Sequence, residues 1–286
     1  MADRGASSAG PLTSGGDGAG RAPTRSTNAR AGRVGGLVRG LLPPLLFAAL
    51  VLGGWQFFAT IGNANAITLP RPSQIAIALW QDRGLLASNG LITVQEIAIG
   101  YAAALMLGIG LGWLLTTARV VERAVYPWLV VSQMVPTVAI APLFVLWTGF
   151  DLRPKVLVII MVSFFPLVVN TIDGLKAVEP ELVGLLRTMG AGRVRIFRSA
   201  QFPAALPSIF SGMKVAAASS VIGAVFGEWV GSSSGLGYLI LTFNNQTATP
   251  EVFAAVAVLS AIGIALFGAV SVLERLLLPW YHGPRG

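Results

Sequence analysis

The sequence contains no cysteine and only one histidine, His282. Without cysteine the chain cannot form disulfides, thiolate metal sites or iron–sulfur clusters, and it has no cysteine nucleophile. One histidine cannot supply a cluster of histidine metal ligands, and we expect His282 to be exposed on the C-terminal tail. These absences exclude a disulfide scaffold and predict that the chain itself holds no metal.

Charged side chains are also scarce. Only 11% of the 286 residues are charged, whereas an ordinary soluble domain carries roughly 25%. Hydrophobic residues make up 54% of the chain, and the mean hydropathy is +0.73. This composition excludes a soluble globular fold and indicates a membrane protein whose solvent is lipid.

Six apolar segments are near or above the length of about 20 helical residues that a bilayer requires. Internal prolines are tolerated where neighbouring helices or water satisfy the freed carbonyls. We therefore predict an all-α polytopic fold with about six transmembrane helices. The segments are Leu41–Ile61, Ile97–Thr117, Ala124–Phe150, Val156–Leu175, Ile209–Val230 and Val252–Leu273.

Residues 1–40 carry ten glycines and six arginines but almost no large apolar side chains. Such a segment cannot bury enough area to offset the entropy of ordering, so we predict a disordered tail over 1–40 and a transmembrane domain over 41–286. The first apolar segment is too long for a typical signal peptide, and five more follow. An uncleaved anchor is therefore favoured over a cleaved signal.

The positions of the basic residues indicate the orientation of the chain. With the N-terminus inside the cell, sixteen lysines and arginines lie on cytoplasmic segments and four lie outside. The positive-inside rule then places both termini in the cytoplasm and the protein in the cell membrane. The basic excess is a topology signal, and we expect no nucleic-acid partner. The four outer bases are Arg71, Arg83, Arg153 and Lys155.

Two predicted spans carry small residues at every fourth position. Such stripes allow helices to approach closely in lipid, and they predict a tightly packed interface, for instance between subunits. The general abundance of glycine in membrane helices is the alternative explanation. The residues are Ala104, Gly108 and Gly112 in the second span, and Gly223, Gly227 and Gly231 in the fifth.

The longest polar segment between spans covers about residues 176–207 and predicts a short helix. Pro180 suits a first helical turn, and Gly190 is placed to end the helix as its C′ residue. An apolar face outside the membrane requires a cover, either the chain's own helix ends or the cleft of a partner subunit. One apolar stripe is formed by Leu182, Leu185, Leu186 and Met189.

The same segment resembles the EAA loop of permease subunits of bacterial binding-protein-dependent ABC importers. Gly190 is followed after nine residues by Ala200 and, one residue later, by Phe202 and Pro203. The distance from glycine to proline is that of the family pattern. The EAA triplet itself falls on Gly-Leu-Leu at 184–186, and the nearest acid upstream is Glu181. The pattern's carboxylate contact to the ATPase is therefore the part that this chain does not match.

Three further segments resemble the nitrate/sulfonate/taurine branch of these permeases. They are LPRPSQ at Leu69–Gln74, SQMVPTVAIAPLFVLWTGF at Ser132–Phe150, and GEWVGSSSGLGYLI at Gly227–Ile240. The second and third are also similar to permeases proposed for pyrimidine precursors of thiamine. The resemblance covers about residues 41–281.

This resemblance implies a type I importer fold in which two permease copies form the solute pathway. Two cytosolic ATPase subunits that bind ATP and Mg²⁺ would contact the loop, and an extracytoplasmic binding protein would deliver a nitrate, sulfonate, taurine or pyrimidine solute. Independently, the chain has no GxxxxGK[ST] motif, so we predict that it is not an enzyme and binds no cofactor itself. The implied contact residues are Glu181, Leu182, Leu185, Leu186, Met189, Gly190, Phe202 and Pro203.

Polar side chains within the spans are candidates for the pathway or its gate. Glu96 and Glu228 lie near the outer ends of their spans, where the alternative is a partly solvated or base-paired carboxylate at headgroup level. Gln133 and Asn170 could hydrogen-bond a solute or satisfy a carbonyl freed by proline. The alternative function is an ion-coupled secondary transporter using Glu96 or Glu228, although the sequence shows no matching halves. A membrane-embedded enzyme would need a polar cluster that is absent from the spans.

The segment after the fifth span predicts a flexible outer loop. It contains a serine run at 232–234 and the glycines Gly235 and Gly237, followed by Tyr238. A docking surface for a binding protein and an ordinary solvated loop are both consistent with this composition.

Overall fold

A computed structural model describes residues 29–61, 69–117 and 119–281; the side chains of 29–41, 45 and 119 are not described. Within this part of the chain the secondary structure is helical, without strands. A π-helical turn, Phe197–Gln201, joins the eighth helix to the ninth. The helices are α1 (Ala29–Ile61), α2 (Pro72–Gln81), α3 (Arg83–Thr117), α4 (Arg119–Ser132), α5 (Thr137–Thr148), α6 (Leu152–Lys176), α7 (Pro180–Thr188), α8 (Arg193–Ile196), α9 (Phe202–Gly231), α10 (Leu236–Asn245) and α11 (Thr249–Leu277).

The predicted all-α membrane fold is confirmed. Among the described residues, five helices are long and apolar enough to cross a bilayer, and the count is six if α4 and α5 together form one bent span. That third predicted span is not one straight helix, because α4 and α5 are bent by 97° at the break between them. Pro136 lies in the break and has no N–H to donate to the carbonyl of Ser132, so one bond of the helical ladder is missing at this point.

Two helices extend beyond the predicted boundaries. Helix α3 begins at Arg83 rather than at Ile97. Helix α1 begins at Ala29, so residues 29–40 of the predicted disordered tail are helical. Once a helix is nucleated, each added residue gains a hydrogen bond at low cost, which allows α1 to extend into a polar sequence. Residues 1–28 and His282, for which a tail was predicted, lie outside the described residues.

The chain divides into two compact units, one ending at Gly53 and one beginning at Gly54. The first unit contains the N-terminal part of α1. The second unit contains the rest of the helices and all the features discussed below.

Helix α6 is the centre of the second unit, and α3 and α9 pack along it through their small-residue stripes. A Cβ atom added to Gly108 would lie 2.5 Å from the Cβ of Leu167, and one added to Gly223 would lie 2.7 Å from Cγ2 of Val162. A Cβ added to Gly112 would lie 2.7 Å from the Cβ of Thr171, and one added to Gly227 would lie 2.9 Å from the Cα of Lys155. The stripes therefore serve close packing inside one chain, and the suggestion that they face a second subunit is corrected.

The predicted outer loop is limited to residues 232–235, because the chain from Leu236 on, including Gly237 and Tyr238, instead forms the partly buried helix α10. Leu236, Leu239 and Phe243 recur at helical spacing and form one apolar face. This face packs with α2, the start of α3 and the start of α11. The resulting cluster lies at the end of α9 opposite the α7 loop, the segment 177–192 that joins α6 to α8 and contains α7. The buried members of the cluster are Ile75, Ala78, Leu86, Leu236, Leu239, Phe243, Ala254, Ala255 and Leu259.

Candidate functional site

Helix α7 forms as the sequence predicts, from Pro180 at its first turn to a glycine stop. Gly190 has a φ of +82°, a left-handed conformation that glycine adopts without a Cβ clash. Its N–H donates to the Arg187 carbonyl at 2.9 Å, and the N–H of Ala191 donates to the Leu186 carbonyl at 2.9 Å. These two bonds are a Schellman motif, so local chemistry fixes where α7 ends.

The apolar stripe of α7 is not covered by the chain's own helices. The exposed fractions are 44% for Leu182, 57% for Leu185 and 74% for Met189. All of α7 is described, and none of its residues is buried. Phe202, at the start of α9, is also 42% exposed. Of the two covers that the sequence leaves open, the chain's own helix ends are therefore excluded within the described part.

The loop leads directly into a very long helix. Residues Arg193–Gly231 form one candidate span of 39 residues. Because Pro203 cannot donate to the Ser199 carbonyl, the ladder shifts to a π-helical turn, in which the N–H of Phe202 donates to the Phe197 carbonyl. At about 1.5 Å per residue, this helix is roughly 58 Å long and connects α7 to the opposite end of the bundle.

Glu96 is buried between α3 and α6, with only 1% of its surface exposed. Lys155 donates from Nζ to Glu96 Oε1 at 2.5 Å. The other carboxylate oxygen, Oε2, has no hydrogen-bond partner among the described residues. Glu96 is therefore not partly solvated at headgroup level; it pairs with one of the four bases considered from the sequence.

Glu228 is equally buried, at 1% exposed, and its bonds are to hydroxyl and backbone groups. Thr93 donates from Oγ1 to Oε1 of Glu228 at 2.7 Å. Oε2 accepts from the backbone N–H of Gly237 and, at 3.3 Å, from that of Tyr238. The carboxylate thus occupies the N-terminus of α10, where helix dipoles favour negative charge. The alternative that Glu228 is a partly solvated carboxylate at headgroup level is therefore wrong.

The two amide candidates lie in different settings. Gln133 is exposed at the break between α4 and α5. Asn170 is half-buried, and its Nδ2 donates to the Pro166 carbonyl at 2.8 Å. The carbonyl freed by Pro166 is that of Val162, so Asn170 does not satisfy it. The structure therefore does not join Gln133 and Asn170 into one polar site.

The sequence placed Lys155 among four possible partners of Glu96, but the pairs formed by Lys176 and Lys214 were not predicted. Each of the three lysines pairs with a glutamate on another helix: Lys155 with Glu96, Lys176 with Glu122, and Lys214 with Glu274. The second pair lies near the α7 end of α6, and the third joins α9 to α11. The lysines themselves indicate such pairs, because a lysine in an apolar span requires a carboxylate of opposite charge at a similar depth.

Comparisons with known proteins agree on one family. A family described as "Binding-protein-dependent transport system inner membrane component" matches residues 96–282. The formylaminopyrimidine transport permease protein ThiX of Halalkalibacterium halodurans is 40% identical over 240 residues, covering 84% of this chain and 96% of that protein. The riboflavin transport system permease protein RibX of Chloroflexus aurantiacus is 37% identical over 241 residues, covering 84% and 89%.

A more distant relative and a solved structure extend these similarities. The taurine transport system permease protein TauC of Escherichia coli is 27% identical over 242 residues, covering 82% of this chain and 88% of that protein. The methionine ABC transporter MetNI, in inward-facing conformations, has a chain of similar fold with a TM-score of 0.60 and 17% sequence identity. This alignment covers 68% of the present chain and 96% of the other.

Proposed function

The chain belongs to the family of binding-protein-dependent transport system inner membrane components and is the permease subunit of an ABC importer, and from this premise we propose how it works. Two copies form the solute pathway, with both termini in the cytoplasm. Two ATPase subunits dock on the α7 loops, and an extracytoplasmic binding protein delivers the solute. The family assignment displaces the alternative of an ion-coupled secondary transporter.

The uncovered stripe of α7 carries this proposal. Leu182, Leu185 and Met189 are exposed on a helix whose end is fixed by the Schellman motif at Gly190. A rigid helix with an exposed apolar face suits insertion into a hydrophobic groove. Because α7 leads through Pro203 into the long helix, movement of the ATPase subunits would reach the spans. Leu186, the fourth residue of the stripe, is half-buried. Glu181 and Phe202 flank the stripe and complete the proposed contact.

Co-purification with the ATPase tests the docking. We expect Leu185→Glu to abolish association, because it places a charge in the apolar contact. Arg187→Glu is the control: it places the same side chain at an exposed position of α7, on the face opposite the apolar stripe. Retained association in both variants would refute the docking surface, whereas loss in both would indicate a general charge effect.

ATP hydrolysis takes place in the partner subunit in this proposal. Each lysine of this chain follows a proline, leucine or methionine, so a P-loop lysine that coordinates phosphates is not available. ATP and Mg²⁺ are accordingly bound by the ATPase, and this chain supplies no cofactor site. The purified permease should hydrolyse no ATP, and hydrolysis should appear when the ATPase is added.

The proposed solute is a small pyrimidine of the kind named for ThiX. The support is the high similarity to that permease, with 40% identity over 84% of this chain. Sulfonates, taurine and nitrate are the alternatives suggested by the family branch. Titration of the companion binding protein with each class distinguishes them, and uptake by cells carrying the complete importer checks the result.

Gln133 is the residue that we propose for the pathway itself. It is exposed at the break between α4 and α5, and interrupted membrane helices commonly expose polar backbone groups toward a solute. Glu96, Glu228 and Asn170 are held by internal hydrogen bonds. Gln133→Ala should therefore raise the solute concentration for half-maximal uptake, whereas Asn170→Ala should leave that concentration near the wild-type value.

A further inference from the structure

Side chains from two other helices satisfy the N-terminus of α10. The first four N–H groups of a helix have no partner within it, and among the described residues α10 has no side-chain cap of its own. Asn89 Oδ1 accepts from Gly235 at 2.8 Å, and Thr93 Oγ1 accepts from Leu236 at 2.9 Å. Glu228 accepts from the next two residues. Side-chain hydrogen bonds therefore hold the start of α10 against α3 and α9.

The glycines of the Gly-Leu-Gly segment provide the space for this arrangement. A Cβ on Gly235 would collide with the Glu228 carboxylate, and one on Gly237 would lie 2.8 Å from Glu228 Oε2. Gly235 also has a φ of +106°, a conformation that other residues rarely adopt. The two glycines thus allow a charged side chain to approach the backbone of α10 directly.

Glu228 lies at the end of the long helix opposite the α7 loop. The helix is continuous over the 39 residues Arg193–Gly231, with the π-helical turn near its start. Glu228 is three residues from its end, and the Ser232 N–H still donates to the Glu228 carbonyl. A displacement of the loop would therefore be carried along one helix to the carboxylate that holds α10.

We propose that Glu228 is a positioning residue that makes α10 move with α9, so that displacement at the α7 loop opens or closes the opposite face of the pathway. The proposal rests on the proposed docking of an ATPase on that loop. Helix α10 is suited to this role because its apolar face packs on α2 and α11. Moving α10 would shift the helix ends that surround this face. Thr93 and Asn89 position the same helix from α3.

The test separates basal from binding-protein-stimulated ATP hydrolysis in the reconstituted importer. We expect Glu228→Ala to associate with the ATPase and to keep basal hydrolysis. Stimulated hydrolysis and uptake should fall roughly tenfold, about the factor that hydrogen bonds to a charged group contribute. Glu228→Gln retains one acceptor oxygen and should restore part of the stimulation. Glu251→Ala, at the same end of the bundle, is the control and should behave as wild type.

Gly237→Ala provides an independent route to the same contact. Its Cβ would displace the carboxylate and would also lie 3.0 Å from the Val225 Cα, so it should lose at least as much stimulation as Glu228→Ala, and the double variant should be no worse than Gly237→Ala alone. Thr93→Val keeps the side-chain shape and should give an intermediate loss of stimulated hydrolysis. It replaces Glu228→Ala as the test if that variant does not fold.

Several outcomes overturn the inference. They are unchanged stimulation in Glu228→Ala and Gly237→Ala, an equal loss of basal and stimulated hydrolysis, or additive losses in the double variant. Failure of the wild-type chain to bind the ATPase would instead refute the proposed function. If the wild-type complex shows normal stimulation and the Glu228 variants show the same stimulation, only the role of Glu228 is refuted.

Discussion

Lys155 on α6 and Glu96 on α3 form an ion pair of 2.5 Å in which both residues are buried. Removing one partner of such a pair leaves an uncompensated buried charge, which typically costs about 3 to 5 kcal/mol. We therefore expect Lys155→Met to lower the free energy of unfolding by about that amount. Denaturant titration in detergent, followed by circular dichroism, measures the change.

The pair formed by Lys176 and Glu122 is the natural control. The Lys176 side chain is 49% exposed, and exposed pairs contribute about 1 kcal/mol or less. Lys176→Met should therefore have a small effect. In addition, the double variant Lys155→Met with Glu96→Leu should lose less stability than Lys155→Met alone, because neither charge of this pair is then left without its partner. Equal losses for the two lysines would contradict the importance of burial.

The second prediction concerns the stability of variants at the close approach of α3 to α6. Gly108→Ala would place a Cβ 2.5 Å from the Cβ of Leu167 and 3.0 Å from the Phe164 carbonyl oxygen. Overpacking of this kind costs about 1 to 3 kcal/mol. Gly110→Ala, on the same helix, meets nothing within 4 Å and should be neutral or slightly stabilising. Thermal unfolding of the two purified variants compares them, and similar melting temperatures would contradict the packing.

Features determined by local chemistry were predictable from the sequence. Pro180 and Gly190 mark the two ends of α7, since one suits a first helical turn and the other permits a left-handed stop. The six apolar segments similarly predict transmembrane spans, because the thickness of a bilayer sets the length of the helix that crosses it. Their composition could not reveal the bend between α4 and α5, since prolines also occur inside α6 and α9 without such a break.

Features determined by distant partners could not be predicted from the sequence. The start of α10 could not be separated from the glycine- and serine-rich loop before it, because its N-terminal bonds come from Asn89, Thr93 and Glu228 on other helices. The partner of Glu96 lies 59 residues away in the sequence. The glycine stripes predicted close packing, yet only the structure identifies α6 as the helix that both stripes contact.

The stop of α7 makes a third prediction. Gly190 has a φ of +82°, so Gly190→Ala forces an alanine into a left-handed conformation that costs about 1 kcal/mol. We expect the end of α7 to fray and ATPase association to weaken, as measured by binding in detergent. Gly192→Ala is the matched control and should not weaken association, because Gly192 has a φ of −70° and open space around it. If both variants bind equally well, a fixed end of α7 is not required for docking.

The absence of cysteine allows the proposed orientation to be tested without removing any residue. Ser233, after α9, and Thr188, in α7, are both exposed and lie at opposite ends of the long helix. With the termini in the cytoplasm, a membrane-impermeant maleimide should label Ser233→Cys in intact cells and Thr188→Cys only after permeabilisation. The unaltered chain gives the background, since it has no thiol to react. The reverse labelling pattern would place α7 outside the cell, where no ATPase could reach it, and would overturn both the orientation and the docking proposal.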